Sequence, residues 1–129
     1  MSIVDEIKKD LDAILGGDSK KLVETAEKFG KYLAGKPKEL STSQIRAIYS
    51  KVQRLQEFNE DTLKKLNLLR PEMAYVAGRH GGKVKDLRDV LDVAIEMIDN
   101  RTKFENFKEF FEAILAYHKY YEREMSKED

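Results

Sequence analysis

Apolar residues recur at helical spacing along almost the whole chain. Ile3, Val4, Ile7, Leu11, Ile14 and Leu15 form the first stripe. Ser2 is placed to cap it, Asp5 lies in its first turn, and Gly16-Gly17 ends it. Asp18 or Ser19 opens a second helix that buries Leu22, Val23, Ala26, Phe29 and Leu33, and Gly35-Lys36-Pro37 stops it. So short a turn between the two predicts a helical hairpin. A third stripe runs through Ile45, Ile48, Tyr49, Val52 and Leu55 towards Phe58. Ser41 or Thr42 can cap it, and Gln44, three residues after Ser41, supplies the other half of a capping box.

The next stretch is less regular. Asn59-Glu60-Asp61-Thr62 reads as a break or a new cap, and Leu63, Leu66, Leu68 and Leu69 crowd after it. Pro71 needs a place where no backbone N–H is required, in a first turn or at a kink. Met73, Ala74, Val76 and Ala77 continue a helix of small residues. Small residues admit a close neighbour, so this helix is expected at the centre of the molecule. Gly78 and Gly81-Gly82 mark its end. Val84, Leu87, Leu91, Ala94, Ile95 and Ile98 define a further helix ending near Asn100. Thr102 with Glu105 reads as a capping box for the last helix. That helix buries Phe104, Phe107, Phe110 or Phe111, Ile114, Leu115, and His118 or Tyr121. From Glu122 to Asp129 only Met125 and Ser126 are uncharged, and this tail is expected to fray. No window alternates with a period of two. The fold expected is all-α, a compact bundle of five to six helices in one domain, residues 1–129, with an N-terminal hairpin over 1–35.

Composition narrows the chemistry. The chain has no cysteine, so disulfides, thiolate catalysis and Cys-based metal sites are excluded. No apolar run approaches the ~18 residues of a membrane span. Met1 to Leu15 is amphipathic and carries acids, unlike a secretory signal, so a cytoplasmic location is expected. The formal net charge of zero hides a division: residues 1–30 sum to −2, residues 31–88 to +7 and residues 89–129 to −5. A basic middle suits a polyanion or an acidic partner, and an acidic end suits a basic neighbour or plain solvent.

No catalytic constellation emerges. His80 and His118 are the only histidines, and neither has a second histidine four residues on, so no helical metal pair exists. His118, in an aromatic helix, reads as a packed or hydrogen-bonded residue. His80, beside Arg79 at a glycine turn, could donate to phosphate or simply be exposed. Gly78-x-x-Gly81-Gly82 follows a helix and lacks the Lys-Ser/Thr of a phosphate loop, so it reads as a C-terminal turn. Tyr117, Tyr120 and Tyr121 fit a core face. In a second reading, Tyr120 and Lys119 form a surface for a base and a phosphate. Arg46, Ser50 and Arg54 are four residues apart and stack on one side of the third helix. Their guanidinium forks suit phosphate.

Three stretches carry a resemblance. Leu40-Ser41-Thr42-Ser43-Gln44-Ile45-Arg46 resembles the L-[ST]-T-S-Q-[IL]-R opening of the small subunit of the type III-A CRISPR–Cas effector, the Csm complex. Pro71-Glu72-Met73-Ala74-Tyr75-Val76-Ala77-Gly78-Arg79 resembles that family's K-P-x-[LM]-A-Y-x-A-G-R segment. Phe110-Phe111-Glu112-Ala113-Ile114-Leu115-Ala116-Tyr117-His118-Lys119 resembles its F-F-E-A-x-[VL]-A-Y-H-K helix. The three keep the family's order and make residues 40–121 a family-like core, while residues 1–35 carry no matching motif.

The resemblance implies a non-catalytic helical subunit that repeats as a filament inside an antiviral ribonucleoprotein, with no cofactor. Its partners would be the guide RNA–target RNA duplex, the CRISPR backbone and large subunits, and other copies of itself. RNA would be held by phosphate and 2′-hydroxyl contacts, because the guide supplies the sequence. The residues expected to make them are Arg46, Lys51, Arg54, Arg70, Arg79 and Lys119. Arg46, Arg79 and Lys119 stand at matching motif positions. Lys51, Arg54 and Arg70 follow from charge and periodicity alone. The alternative is a helical protein-interaction module whose arginines are merely solvated and which touches no RNA.

Overall fold

The computed structural model describes residues 2–127 and, among them, six helices and no strands. These are α1 (Ile3–Leu15), α2 (Ser19–Ala34), α3 (Thr42–Gln53), α4 (Glu60–His80), α5 (Gly82–Met97) and α6 (Arg101–Lys127). The stripes read from the sequence become the core, except that Val23 of α2, expected inside, is 45% exposed. Phe104, Phe107, Phe110, Phe111 and Ile114 of α6 are all fully buried, together with Phe29 and Leu33 of α2 and Ile45 and Val52 of α3. Tyr49 meets Phe111 edge-on, with ring centroids 5.3 Å apart.

The packing centres on α6. It makes its most extensive contact with α2, and it also meets α3, α1 and α5. Gly30 sets the approach of α2 to α6: a Cβ there would lie 2.8 Å from Tyr117 Cβ and 2.9 Å from the backbone nitrogen of His118. Only a glycine lets the two backbones come this near. α1 packs against α2 as the predicted hairpin does, and against α5.

Several caps hold as read. Ser2 accepts from Asp5 N–H, Asp18 from Lys21 N–H, and Ser41 with Gln44 forms a complete capping box. Other features differ from the sequence reading or extend it. α6 is capped by Asn100, whose Oδ1 accepts from Lys103 N–H at 2.9 Å, and not by Thr102. The asparagine lies two residues earlier, and its side chain already satisfies a first-turn donor. The charged stretch after Tyr121 is helical as far as it is described. α6 continues to Lys127, with Glu122 bonded to Thr42 and Lys127 near Glu124; Glu128 and Asp129 lie outside the described residues.

Pro71 sits inside α4, past its first turn, which leaves the second of the two expected places, within a helix. It is exposed, and the carbonyl its missing N–H leaves free belongs to exposed Asn67, within reach of water. Finally, α4 is peripheral. It packs chiefly on α5, Ala74 is exposed, Tyr75 is 68% exposed and Leu68 is 56% exposed. Small residues permit close packing but do not require it. Here only Leu66, Leu69 and Met73 supply a fully apolar inner edge.

α4 and α5 are joined and held by side chains. Arg70 donates to Asp92 through Nε at 2.7 Å and Nη2 at 3.2 Å, and also pairs with Glu96. The turn between them is built on Gly81, with φ of 103°. The Glu39 carboxylate accepts from Lys83 N–H at 3.1 Å, and a Cβ on Gly81 would meet Glu39 Oε2 at 2.5 Å. The anion on this helix start is therefore internal. Lys83 is buried: its Nζ donates to the Tyr32 carbonyl at 2.9 Å and lies 3.7 Å from the Tyr32 ring centroid. Tyr32 hydroxyl donates to Asp86, which with burial pushes the phenol up to about 12.

Candidate nucleic-acid interface

The six basic residues fall into four places. Arg46 and Lys119 come together. They line one groove between the first turns of α3 and the last turns of α6, along with Thr42, Ser43, Glu122, Arg123 and Ser126. Arg46, Lys119 and Arg123 are exposed and give the groove three long cations. Hydroxyls of Thr42, Ser43 and Ser126 lie among them. This is a set that can take a phosphate oxygen by charge and by hydrogen bond. Arg123 was absent from the residues chosen by sequence. Its signal was its position four residues after Lys119, which stacks the two on one face of α6.

Arg54 and Lys51 line a second groove, between the end of α3 and α4, with Lys65, Leu55, Leu68, Leu69 and Glu72. Lys51 spans this cleft to Glu72, Nζ to Oε2 at 2.8 Å. Both partners are more than half exposed, so the pair is weak and solvent-screened. Arg54 lies on the same side of α3 as Arg46, eight residues and about 12 Å along the axis. Arg79 stands apart at the end of α4, with its guanidinium carbon 5.9 Å from the Tyr75 ring centroid. Arg70 is the least available. Asp92 and Glu96 hold it, and the hydrogen bond it donates to Asp92 keeps its guanidinium pKa raised above the ordinary value while Arg70 in turn lowers that of Asp92.

The first and third motif stretches meet physically. His118 is 0% exposed and lies between them. Its Nε2 is 2.8 Å from the Leu40 carbonyl, to which it must donate, and its Nδ1 is 3.2 Å from Thr42 Oγ1. Burial lowers its pKa, against the opposing pull of the Leu40 carbonyl and the Glu122 charge. His118 is thus the packed, hydrogen-bonded residue its aromatic setting predicted. The tyrosines divide: Tyr121 donates to Glu27 of α2 at 2.7 Å, while Tyr120 is 56% exposed next to the groove residue Lys119.

Among the described residues, no three His, Asp or Glu side chains gather in a way that could hold a metal ion, and no helix is long and apolar enough to cross a membrane. No curated protein and no solved structure matches the chain. A family model described as Csm2 Type III-A matches residues 17–124, beginning before the first motif stretch and taking in all of α2. With its six-helix architecture and its three motif stretches, the chain belongs to the Csm2 Type III-A family and is a small subunit of the type III-A Csm complex.

Proposed function

We propose that this subunit is a non-catalytic helical scaffold that repeats along the guide–target RNA duplex and grips its backbone, within an antiviral complex in the cytoplasm. The observation that carries the reading is the groove joining Arg46 and Lys119. Two residues from separate motif stretches, far apart in sequence, converge with Arg123 on one exposed surface. Phosphate contacts of this kind position a protein without reading bases, which suits a duplex whose sequence is set by the guide.

The six residues do not carry equal weight in this reading. Arg46 and Lys119, with Arg123, make the principal contact. Arg54 extends it along α3, and Arg79 with Tyr75 offers a separate one on α4. Lys51 and Arg70 would have to leave Glu72, and Asp92 with Glu96, before reaching RNA. Lys51 gives up only a weak exposed pair; Arg70 gives up a multidentate clamp and serves chiefly to hold α4 on α5. Partners in this reading are the RNA duplex, the backbone and large subunits, and other copies of the chain.

A salt titration of a short A-form duplex on the isolated chain tests the contact. Non-specific binding in the ~10⁻⁴–10⁻⁶ M range is expected, with a negative slope of log affinity on log salt. A slope of zero would leave the protein-interaction reading standing, with its arginines merely solvated. A nanomolar dissociation constant would contradict the expectation that a single copy offers only part of a shared groove.

A further inference from the structure

Glu122 is out of place in a phosphate-binding groove, and the hydrogen bonds around it show what it does. Thr42 Oγ1 lies 3.0 Å from Glu122 Oε1 and 3.2 Å from His118 Nδ1. The hydroxyl has one proton and two claimants. His118 Nε2 keeps its own proton, because the Leu40 carbonyl at 2.8 Å only accepts. If the imidazole is neutral, Nδ1 carries a lone pair and competes with the Glu122 carboxylate for the Thr42 proton. If the imidazole is charged, Nδ1–H donates to Thr42, and the hydroxyl is left wholly to Glu122.

We propose that His118, Thr42 and Glu122 form a proton relay that sets the charge of the Arg46–Lys119–Arg123 groove, so that acidification strengthens its hold on a phosphate backbone. The RNA part of this rests on the function proposed above; the relay does not. With neutral His118 the Glu122 carboxylate is held only in part by Thr42 and stands in the groove beside the three cations, against an incoming phosphate. Protonation places a positive charge behind Thr42 and ties Glu122 to the hydroxyl, so the groove becomes more positive.

The surroundings leave this coupling unobstructed. On α6 the charged group facing His118 is Glu122, with Lys119 and Arg123 in the groove. α3 presents Thr42, and its Arg46 belongs to the same groove. α2 presents the Gly30 backbone, while its Glu27 and Lys31 both go to Tyr121. The segment before α3 presents the Leu40 carbonyl, and its Glu39 is turned to Lys83. Burial holds the His118 proton affinity below the ordinary histidine value, so the neutral arrangement is the one present at neutral pH.

The test uses the full chain carrying His80→Asn, so that one histidine titrates, with a short A-form RNA duplex at fixed ionic strength. Between about pH 7.5 and pH 5 the affinity should rise about three- to tenfold, equivalent to half a unit to one unit of coupled pKa. Thr42→Val keeps the side-chain shape and removes the shared proton. It should remove most of the rise, read as the ratio of the variant's own affinities at the two pH values. A parent chain that is flat with pH, or a Thr42→Val chain that rises as much, overturns the proposal. RNA that fails to bind at every pH defeats the function proposed above, and the relay is then decided by NMR on the same chain. The His118 ring nitrogens and the Glu122 carboxyl carbon should shift with one midpoint; a Glu122 signal blind to the His118 titration overturns the relay.

Discussion

Gly30 and His118 sit at one level of the α2–α6 contact and act in opposite ways, one by having no side chain and the other by using all of it. At Gly30 an added methyl gains helix propensity, up to about 1 kcal/mol. It also meets Tyr117 Cβ at 2.8 Å, the His118 backbone nitrogen at 2.9 Å and the Ile114 carbonyl at 3.0 Å. Three neighbours on one backbone cannot all yield, so overpacking wins. Gly30→Ala should lower stability by about 1–3 kcal/mol net, read from the midpoint of urea unfolding. An unchanged or raised midpoint would show that the two helices separate freely.

His118 gives a stability prediction with a definite sign. Its folded-state pKa is lowered by burial, so the unfolded chain takes up the proton first. The stability it contributes is complete above the ordinary histidine value of about 6.5, and falls as pH drops from there towards the folded value. Unfolding midpoints measured across this window should decline on acidification, and His118→Gln should flatten the decline. A midpoint rising with acid in the same window would reverse the sign and contradict the buried, neutral imidazole.

At the scale of elements, the α3–α6 groove and the α4–α5 clamp separate two kinds of arginine. Arg46→Glu with Lys119→Glu should remove two phosphate contacts and lower the magnitude of the duplex salt slope by roughly 1.8, at about 0.9 per contact, with the thermal midpoint little changed. Arg70→Ala should do the reverse, costing about 1 kcal/mol of stability and leaving the slope alone. If Arg70→Ala reduced the slope as the groove pair does, Arg70 would be a contact residue and the clamp incidental.

This division was not legible in the sequence, and the reason is physical. Helical period, caps and the hairpin turn are local, so the stripes of α1, α2, α3, α5 and α6 could be read directly. An ion pair from Arg70 to Asp92 spans 22 residues, and nothing in the spacing of either announces it. Ala74 and Ala77 read alike whether a neighbour lies against them or solvent does, so the peripheral place of α4 was hidden too. Arg46 and Lys119 were legible as candidates from their motif positions, but their convergence required the fold.

At the scale of the molecule, a zero net charge is shared between a basic middle and an acidic end. Part of that separation is spent internally: Arg70 meets Asp92, and Lys85 meets Asp89 at 3.0 Å. The cations left on the surface include Arg46, Arg54, Lys119 and Arg123, three of them around one groove. A chain with that surface and with Csm2 family membership is expected to be found with RNA and with larger subunits, and to be incomplete alone.

The measurement that tests this most directly is retrieval of the tagged chain from its native cells, with and without ribonuclease, followed by protein mass spectrometry and RNA sequencing. Type III-A backbone subunits should come down together with short guide RNA. Arg46→Glu with Lys119→Glu should recover less of both. Retrieval of the backbone subunits with guide RNA at an undiminished level by the double variant would contradict the groove. Retrieval of neither partner by the parent chain would contradict the scaffold itself.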